Sequence, residues 1–258
     1  MIDLHCHILH DVDDGADSIE ESMAMARIAV DDGITDLIAT PHFMEEDVSI
    51  GAPYIKERLS LFKKKLEDGG IPLRVHQGSE IQLSPDTLSQ LERGDAASLA
   101  GSRYVLTELP FFEIPIYAEE MIYRMRLSGY IPIIAHPERN RIITENPNRL
   151  LDFLELGALA QVNAGSILGK NGKAIRQAAE IMLTHNMVHC IASDGHHKSR
   201  RRPILSEGRK AAGLMVGSQK AKRLIETVPE KILKDEDFLP EKSVRYAPRK
   251  NIFSLFAK

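Results

Sequence analysis

Seven apolar runs rich in β-branched residues punctuate the chain, at 2–5, 34–40, 71–78, 104–108, 130–135, 159–163 and 188–193. They are short and lack regular polar alternation, the pattern of strands buried on both faces in a parallel sheet. Between them apolar positions recur every three to four residues, which predicts helices over 18–31, 54–67, 118–127, 148–155 and 173–185. Ser18 followed by Glu21 reads as a capping box for the first helix, and Gly33, Gly129 and Gly157 stand where helices should stop. Strand and helix alternate about seven times without a Pro/Gly/Ser-rich linker, which argues for one α/β domain, a parallel (β/α) barrel, rather than two domains.

Composition narrows the class. The chain has 258 residues, 43% hydrophobic and 27% charged, with no apolar run long enough for a membrane span. It starts directly in a strand, without a secretory leader, and its two cysteines, Cys6 and Cys190, fit a reducing compartment, so a cytoplasmic location is expected. A net charge of −4 speaks against a nucleic-acid partner. The segment 241–258 differs from the preceding 1–240: from Lys242 onward it holds five basic residues and no acidic one, with Pro248, Ile252, Phe253, Leu255 and Phe256.

In a parallel barrel the residues that close each strand converge at one end. Read in order, those positions give His5 and His7, His42, Glu80, Glu108, His136, and Asp194 with His196; Asp14 joins them from the first loop. Five imidazoles and four carboxylates suit zinc or a first-row transition ion. Nine ligands are too many for one ion and crowd two, whereas three ions sharing bridging carboxylates fit the count. Six positive charges against four carboxylates leave a site that attracts a dianion such as a phosphate monoester. A bridging water there would supply hydroxide near neutral pH, so the expected chemistry is metal-assisted hydrolysis. Arg139, and Arg201 or Arg202, lie at the rim, where a guanidinium fork could grip phosphate oxygens.

The motifs Asp3-Leu4-His5-Cys6-His7, Asp11-Val12-Asp13-Asp14-Gly15, Thr40-Pro41-His42, Gly78-Ser79-Glu80, Ala135-His136-Pro137-Glu138-Arg139 and Ala192-Ser193-Asp194-Gly195-His196 resemble the PHP (polymerase and histidinol phosphatase) superfamily. They are most similar to the metal-dependent protein-tyrosine phosphatases of bacterial capsule and exopolysaccharide loci, over about residues 1–233. The resemblance implies a distorted (β/α)7 TIM-like barrel with three divalent ions, credited to manganese, with iron, cobalt or zinc also accepted by these ligands. It implies as substrate the phosphorylated tyrosine-rich tail of a cognate tyrosine kinase that controls polysaccharide export. Carried over, His5, His7, Glu80 and Asp194 would hold one ion; Glu80 would bridge to a second held with Glu108 and His136; Asp14, His42 and His196 would hold the third. Arg139 and Arg201 match the phosphate-contacting arginines. The chain departs from the pattern at His197, where asparagine is expected, and three consecutive arginines follow at 200–202, so Arg202 competes with Arg201.

The other histidines, His10, His76, His185, His189 and His197, have no place in this constellation. The residues six positions after Cys6 and Cys190 are Val12 and His196, not arginine, which excludes a thiol-phosphatase loop, and both thiols should pack away from the site. Phe253, Leu255 and Phe256 are expected to pack on the barrel, with peripheral docking to a partner or membrane surface as the alternative. Two other functions compete: a small-molecule phosphatase of the histidinol-phosphatase type or a phosphodiesterase, and a regulatory module that binds without turnover.

Overall fold

The computed structural model describes residues 1–43 and 50–247. The strands in chain order are β1 (Ile2–Cys6), β2 (Asp36–Ala39), β3 (His42–Phe43), β4 (Arg74–Gln77), β5 (Glu80–Gln82), β6 (Tyr104–Glu108), β7 (Ile131–Ala135), β8 (Leu159–Asn163) and β9 (Cys190–Ala192). All pairings are parallel, in the orders β1-β2-β4 and β3-β5-β6-β7-β8-β9.

The two sheets share chain segments. β2 runs on into β3 and β4 into β5, and the same two runs pair on both sides of the interruption. The joint falls where Pro41 lacks an N–H, while Gly78 N donates to Ala39 O at 2.9 Å and Glu80 N to Pro41 O at 3.0 Å. Gly78 also admits its neighbours closely: a Cβ there would lie 2.8 Å from Ile38 Cγ2. The runs expected to end at residues 40 and 78 therefore resume and deliver His42 and Glu80 in register with each other. At the far edge a parallel bridge joins Cys6 to Gly195; His7 N donates to Gly195 O at 2.8 Å and Asp194 N to His5 O at 2.9 Å. The first strand thus lies beside the chain leaving the last.

The helices are α1 (Ile19–Asp31), α2 (Ala52–Asp68), α3 (Thr87–Arg93), α4 (Ala118–Leu127), α5 (Arg141–Glu145), α6 (Arg149–Glu155), α7 (Ala164–Ile167), α8 (Lys173–Thr184), α9 (Ser206–Val216), α10 (Ser218–Lys222) and α11 (Val228–Leu233). The five expected helices match α1, α2, α4, α6 and α8 to within about two residues at each end. The predicted capping box is half formed: the Ser18 side chain accepts from Glu21 N at 3.2 Å, but Glu21 Oε1 accepts from Lys198 N at 3.3 Å and so ties α1 to a distant loop. Gly33, Gly129 and Gly157 take positive φ values of 87°, 87° and 92°, as helix stops require.

α2 buries Ile55, Leu59, Phe62 and Leu66 against the large apolar core between strands and helices. Each such side chain contributes about 1.5–3 kcal/mol. A smaller apolar cluster holds Ile2, Leu4, Ile38, Tyr104, Leu106, Ile133, Leu159 and Cys190, and α11 joins it through Val228 and Ile232. Both cysteines are buried and free, and the Cys6 thiol donates to Gly195 O at 3.3 Å.

After α11 the chain crosses back over the body. Glu241 meets Lys220 at 2.8 Å, Val244 N donates to His185 O at 2.8 Å, and Tyr246 N donates to Asn148 Oδ1 at 2.8 Å. Residues 248–258, with Pro248, Ile252, Phe253, Leu255 and Phe256, lie outside the described residues. Among the described residues no helix is long and apolar enough to cross a membrane.

Candidate metal centre

The nine side chains singled out as ligands come together in overlapping clusters, at or just past the ends of β1, β6, β7 and β9, at the β2/β3 and β4/β5 joints, and in the loop before α1. His5 sits on β1 and His7 one step past it; Asp14 comes from the β1–α1 loop; His42 opens β3; Glu80 opens β5; Glu108 closes β6; His136 follows β7; Asp194 and His196 follow β9. His136 and Asp194 adopt left-handed backbone, with φ of 29° and 52°. That conformation costs a non-glycine residue about 1–3 kcal/mol and turns both side chains sharply from their strands. Gly15 is required by proximity, since a Cβ there would stand 2.2 Å from His7 O.

Three groupings overlap. His5 Nε2 and His7 Nε2 lie 3.1 and 3.2 Å from Glu80 Oε2, and 3.5 and 3.7 Å from Asp194 Oδ1. His136 Nε2 lies 2.9 Å from Glu80 Oε1 and 3.5 Å from Glu108 Oε1. Asp14 Oδ1 lies 3.2 Å from His196 Nε2 and 3.5 Å from His42 Nε2. Glu80 is shared by the first two and also reaches the third, its Oε2 lying 3.2 Å from His42 Nδ1. The first two groupings are buried apart from a partly exposed Glu108, while the Asp14 carboxylate, 64% exposed, opens the third to solvent.

The hydrogen-bond network fixes which nitrogens carry protons. Asp194 Oδ2 can only accept, so Asn163 Nδ2 donates to it at 2.6 Å. Asn163 Oδ1 then accepts from Gln161 Nε2 at 2.7 Å, which leaves Gln161 Oε1 to accept from His5 Nδ1 at 2.8 Å. On the other side His7 Nδ1 donates to Asp13 Oδ2 at 2.6 Å. When both rings are neutral, their Nε2 lone pairs therefore face each other across 3.1 Å, with Glu80 Oε2 as a third. Among the described residues no hydrogen-bond donor reaches the buried Asp194 Oδ1. Converging lone pairs in a low-dielectric site repel unless positive charge lies between them. Imidazole and carboxylate donors fit a divalent transition ion or zinc at that point.

Titration tells the same story. Burial alone would keep His7 and His136 neutral, yet Asp13 holds His7 well above the usual histidine range, and Glu80 lifts His136 to about 9. Despite burial, Asp194 is held well below the usual carboxylate range by His5, His136 and Arg201. Burial and the neighbouring Glu80 charge push Glu108 up to about 7. Burial and His7 push His196 down to about 4. Without ions the cluster recruits protons; cations are the better match for four carboxylates.

Two arginines cover this centre. Arg139, on the turn Pro137–Arg139, donates from Nη1 to Asp194 Oδ2 at 3.0 Å, and Arg201 from Nη2 to the same oxygen at 2.5 Å. Arg202 is exposed. The sequence reading missed Asp13, Gln161 and Asn163, the groups that hold His5, His7 and Asp194, and Phe111, whose ring lies under Arg139. Gln161-x-Asn163 shows the same alternation on a buried strand as His5-x-His7, a signal that was available.

Relatives match this chain over most of its length. The family described as "Capsular polysaccharide synthesis, CpsB/CapC" matches residues 1–234. The tyrosine-protein phosphatase YwqE of Bacillus subtilis is 41% identical over 201 residues, 78% of this chain and 79% of that protein. The putative tyrosine-protein phosphatase CapC of Staphylococcus aureus is 37% identical over 207 residues, 80% of this chain and 81% of its own. A solved structure from work on YwqE of Bacillus subtilis and CpsB of Streptococcus pneumoniae, described as unique metal-dependent tyrosine phosphatases, aligns with a TM-score of 0.92 and 36% identity, covering 96% of this chain and all of that one. A family match over nearly the whole described body, with relatives this similar, means that the chain belongs to the CpsB/CapC family of capsular polysaccharide synthesis.

Proposed function

We propose that this protein is a metal-dependent protein-tyrosine phosphatase whose substrate is the phosphorylated tyrosine-rich tail of a cognate bacterial tyrosine kinase. The observation that carries it is the convergence of the His5, His7 and Glu80 lone pairs beneath two arginines on one Asp194 oxygen. The relatives named as tyrosine phosphatases support the substrate class.

In this reading the ions number three, with manganese favoured over iron, cobalt or zinc. His5, His7, Glu80 and Asp194 hold one, Glu80, Glu108 and His136 a second, and Asp14, His42 and His196 the third. Bound divalent ions supply charge neutralisation at the phosphoryl oxygens and acidify water. The chain's own residues do the rest. Arg139 and Arg201 receive the phosphate dianion, and Asp194 holds both guanidinium groups so that little reorganisation is needed on binding. The buried Gln161–Asn163 relay holds the proton of a neutral His5 on Nδ1, and Asp13 does so for His7, so that each Nε2 is the nitrogen offered to a cation.

The strand order, continuous through the β2/β3 and β4/β5 runs and returning to β1 at the Cys6–Gly195 bridge, supports a distorted (β/α)7 TIM-like barrel spanning 1–240. The basic segment 241–258 is read as an appendage, and the location as cytoplasmic.

The test is hydrolysis after chelation. Protein stripped with EDTA should be inactive on a phosphotyrosine peptide and recover with manganese, with about three ions per chain by mass spectrometry; His136→Ala should abolish turnover. Faster hydrolysis of histidinol phosphate than of the peptide would favour the small-molecule reading instead. No turnover with any divalent metal would leave only the binding-module reading.

A further inference from the structure

Phe111 and Phe112 follow β6 in the loop Leu109–Tyr117, and none of the site chemistry above uses them. Phe112 is 76% exposed, but Phe111, though 40% exposed, has both neighbours in the site. The Arg139 guanidinium carbon sits 4.7 Å from the Phe111 ring centroid. The His136 ring stacks on the same side chain at 6.0 Å and 23°. The loop is fixed to the Arg139 segment by backbone as well: Arg141 N donates to Phe111 O at 2.7 Å, and Asn140 Nδ2 donates to Pro110 O at 2.6 Å and Glu113 O at 2.8 Å.

Phe111 is only partly buried, and the side chains it touches belong to the site. Among the described residues the Arg139 side chain has one hydrogen-bond partner, Asp194 Oδ2, which holds one edge of the guanidinium and leaves its rotation about that contact open. A flat π face under the cation restricts that freedom, because the guanidinium carbon is held over the ring.

We propose that Phe111 is a positioning residue that shelves the Arg139 guanidinium for bidentate capture of a phosphoryl group. The proposal rests on the phosphatase reading and deepens it, because it makes the phosphate-binding geometry a product of three parts, Asp194, Arg139 and Phe111. Its energetic signature is coupling: Phe111 matters to phosphate only while Arg139 is present.

The experiment is a double-mutant cycle on the metal-loaded full chain, with Phe111→Ala, Arg139→Ala and the pair, read as affinity for inorganic phosphate and as kcat and KM on a phosphotyrosine peptide. Phe111→Ala should weaken phosphate roughly 3- to 30-fold in the wild-type background and leave it nearly unchanged when Arg139 is already alanine. Metal content should stay at the wild-type level. Phe111→Tyr should restore wild-type affinity, and Phe111→Leu, which keeps apolar volume without a π face, should share the alanine loss. Equal losses in both Arg139 backgrounds, a leucine variant that binds phosphate like wild type, or loss of metal in step with affinity would each overturn the proposal. Phosphate affinity is measured without turnover, so coupling seen in a protein that hydrolyses no ester would support the shelf while sinking the phosphatase reading.

Discussion

Asp13 Oδ2 accepts two hydrogen bonds, from His7 Nδ1 at 2.6 Å and from His42 N at 2.9 Å. One carboxylate oxygen therefore sets the ring of a histidine in the buried grouping and the backbone of one in the exposed grouping. Its other oxygen accepts from Gly15 N at 3.0 Å, which ties the loop that carries Asp14 to the same point. Asp13→Asn keeps the shape but offers an amide to at least one of these donors. The expected outcome is a 10- to 100-fold loss of metal affinity with the fold retained. Competition against a metallochromic chelator measures it, and unchanged affinity would refute the role.

The amide relay behind His5 makes a sharper demand. Gln161→Leu leaves His5 Nδ1–H and Asn163 Oδ1 without partners in a buried site, a cost of about 1–3 kcal/mol per group. The variant should melt several degrees lower and bind fewer ions at matched metal concentration. Thermal unfolding with and without manganese checks both; a variant with wild-type melting and full metal content would contradict the relay.

Arg201 and Arg202 should separate cleanly. Arg201→Ala removes a cation in contact with Asp194 and is expected to lower kcat/KM on a phosphotyrosine peptide by roughly 10²–10³-fold. Arg202→Ala, at an exposed position, should change it by no more than about twofold. The reverse order would move the phosphate contact to Arg202.

His189 predicts an acid-side weakness remote from the metals. Its Nδ1 accepts from Ala160 N at 3.0 Å, and burial, with Arg223 and Lys220 nearby, pushes its pKa down to about 4 from an ordinary value of 6.5. Between those values the unfolded chain binds the extra proton. Stability is complete above pH 6.5 and falls as pH drops toward 4, by at most about 3 kcal/mol at 1.36 kcal/mol per unit. His189→Asn keeps an acceptor for Ala160 and removes the titration. Denaturant unfolding at pH 7 and pH 5 should show a smaller drop for the variant; equal drops would remove His189 as the cause.

Much of this candidate centre was legible because most of the apolar runs give way at their ends to a ligand-type side chain. His42, Glu80, Glu108 and His136 were all found that way. Asp13 was not, because adjacent aspartates in one loop look alike until the backbone at Gly15 decides which points inward. Gln161 and Asn163 carry no charge and so read as strand filler. The left-handed turns at His136 and Asp194 leave no mark in the sequence, since nothing but their surroundings holds them there. Helices α9 to α11 escaped for another reason: their apolar positions are interrupted by Gly208, Gly213, Gly217 and a π-helical stretch at Arg223–Thr227, which breaks the regular period.

The contact between Cys6 and Gly195 spans 189 positions. Nearly the whole described body lies in sequence between His5 and His7 and the Asp194 and His196 they meet. Such distant closure is slow to form, and every ion grouping except that of Glu80, Glu108 and His136 draws on both ends of the chain. In the proposed reading, the two groupings that include Asp194 or His196 would therefore come together only once the first strand has met the last, so that binding an ion there would favour the closed fold over any opened one.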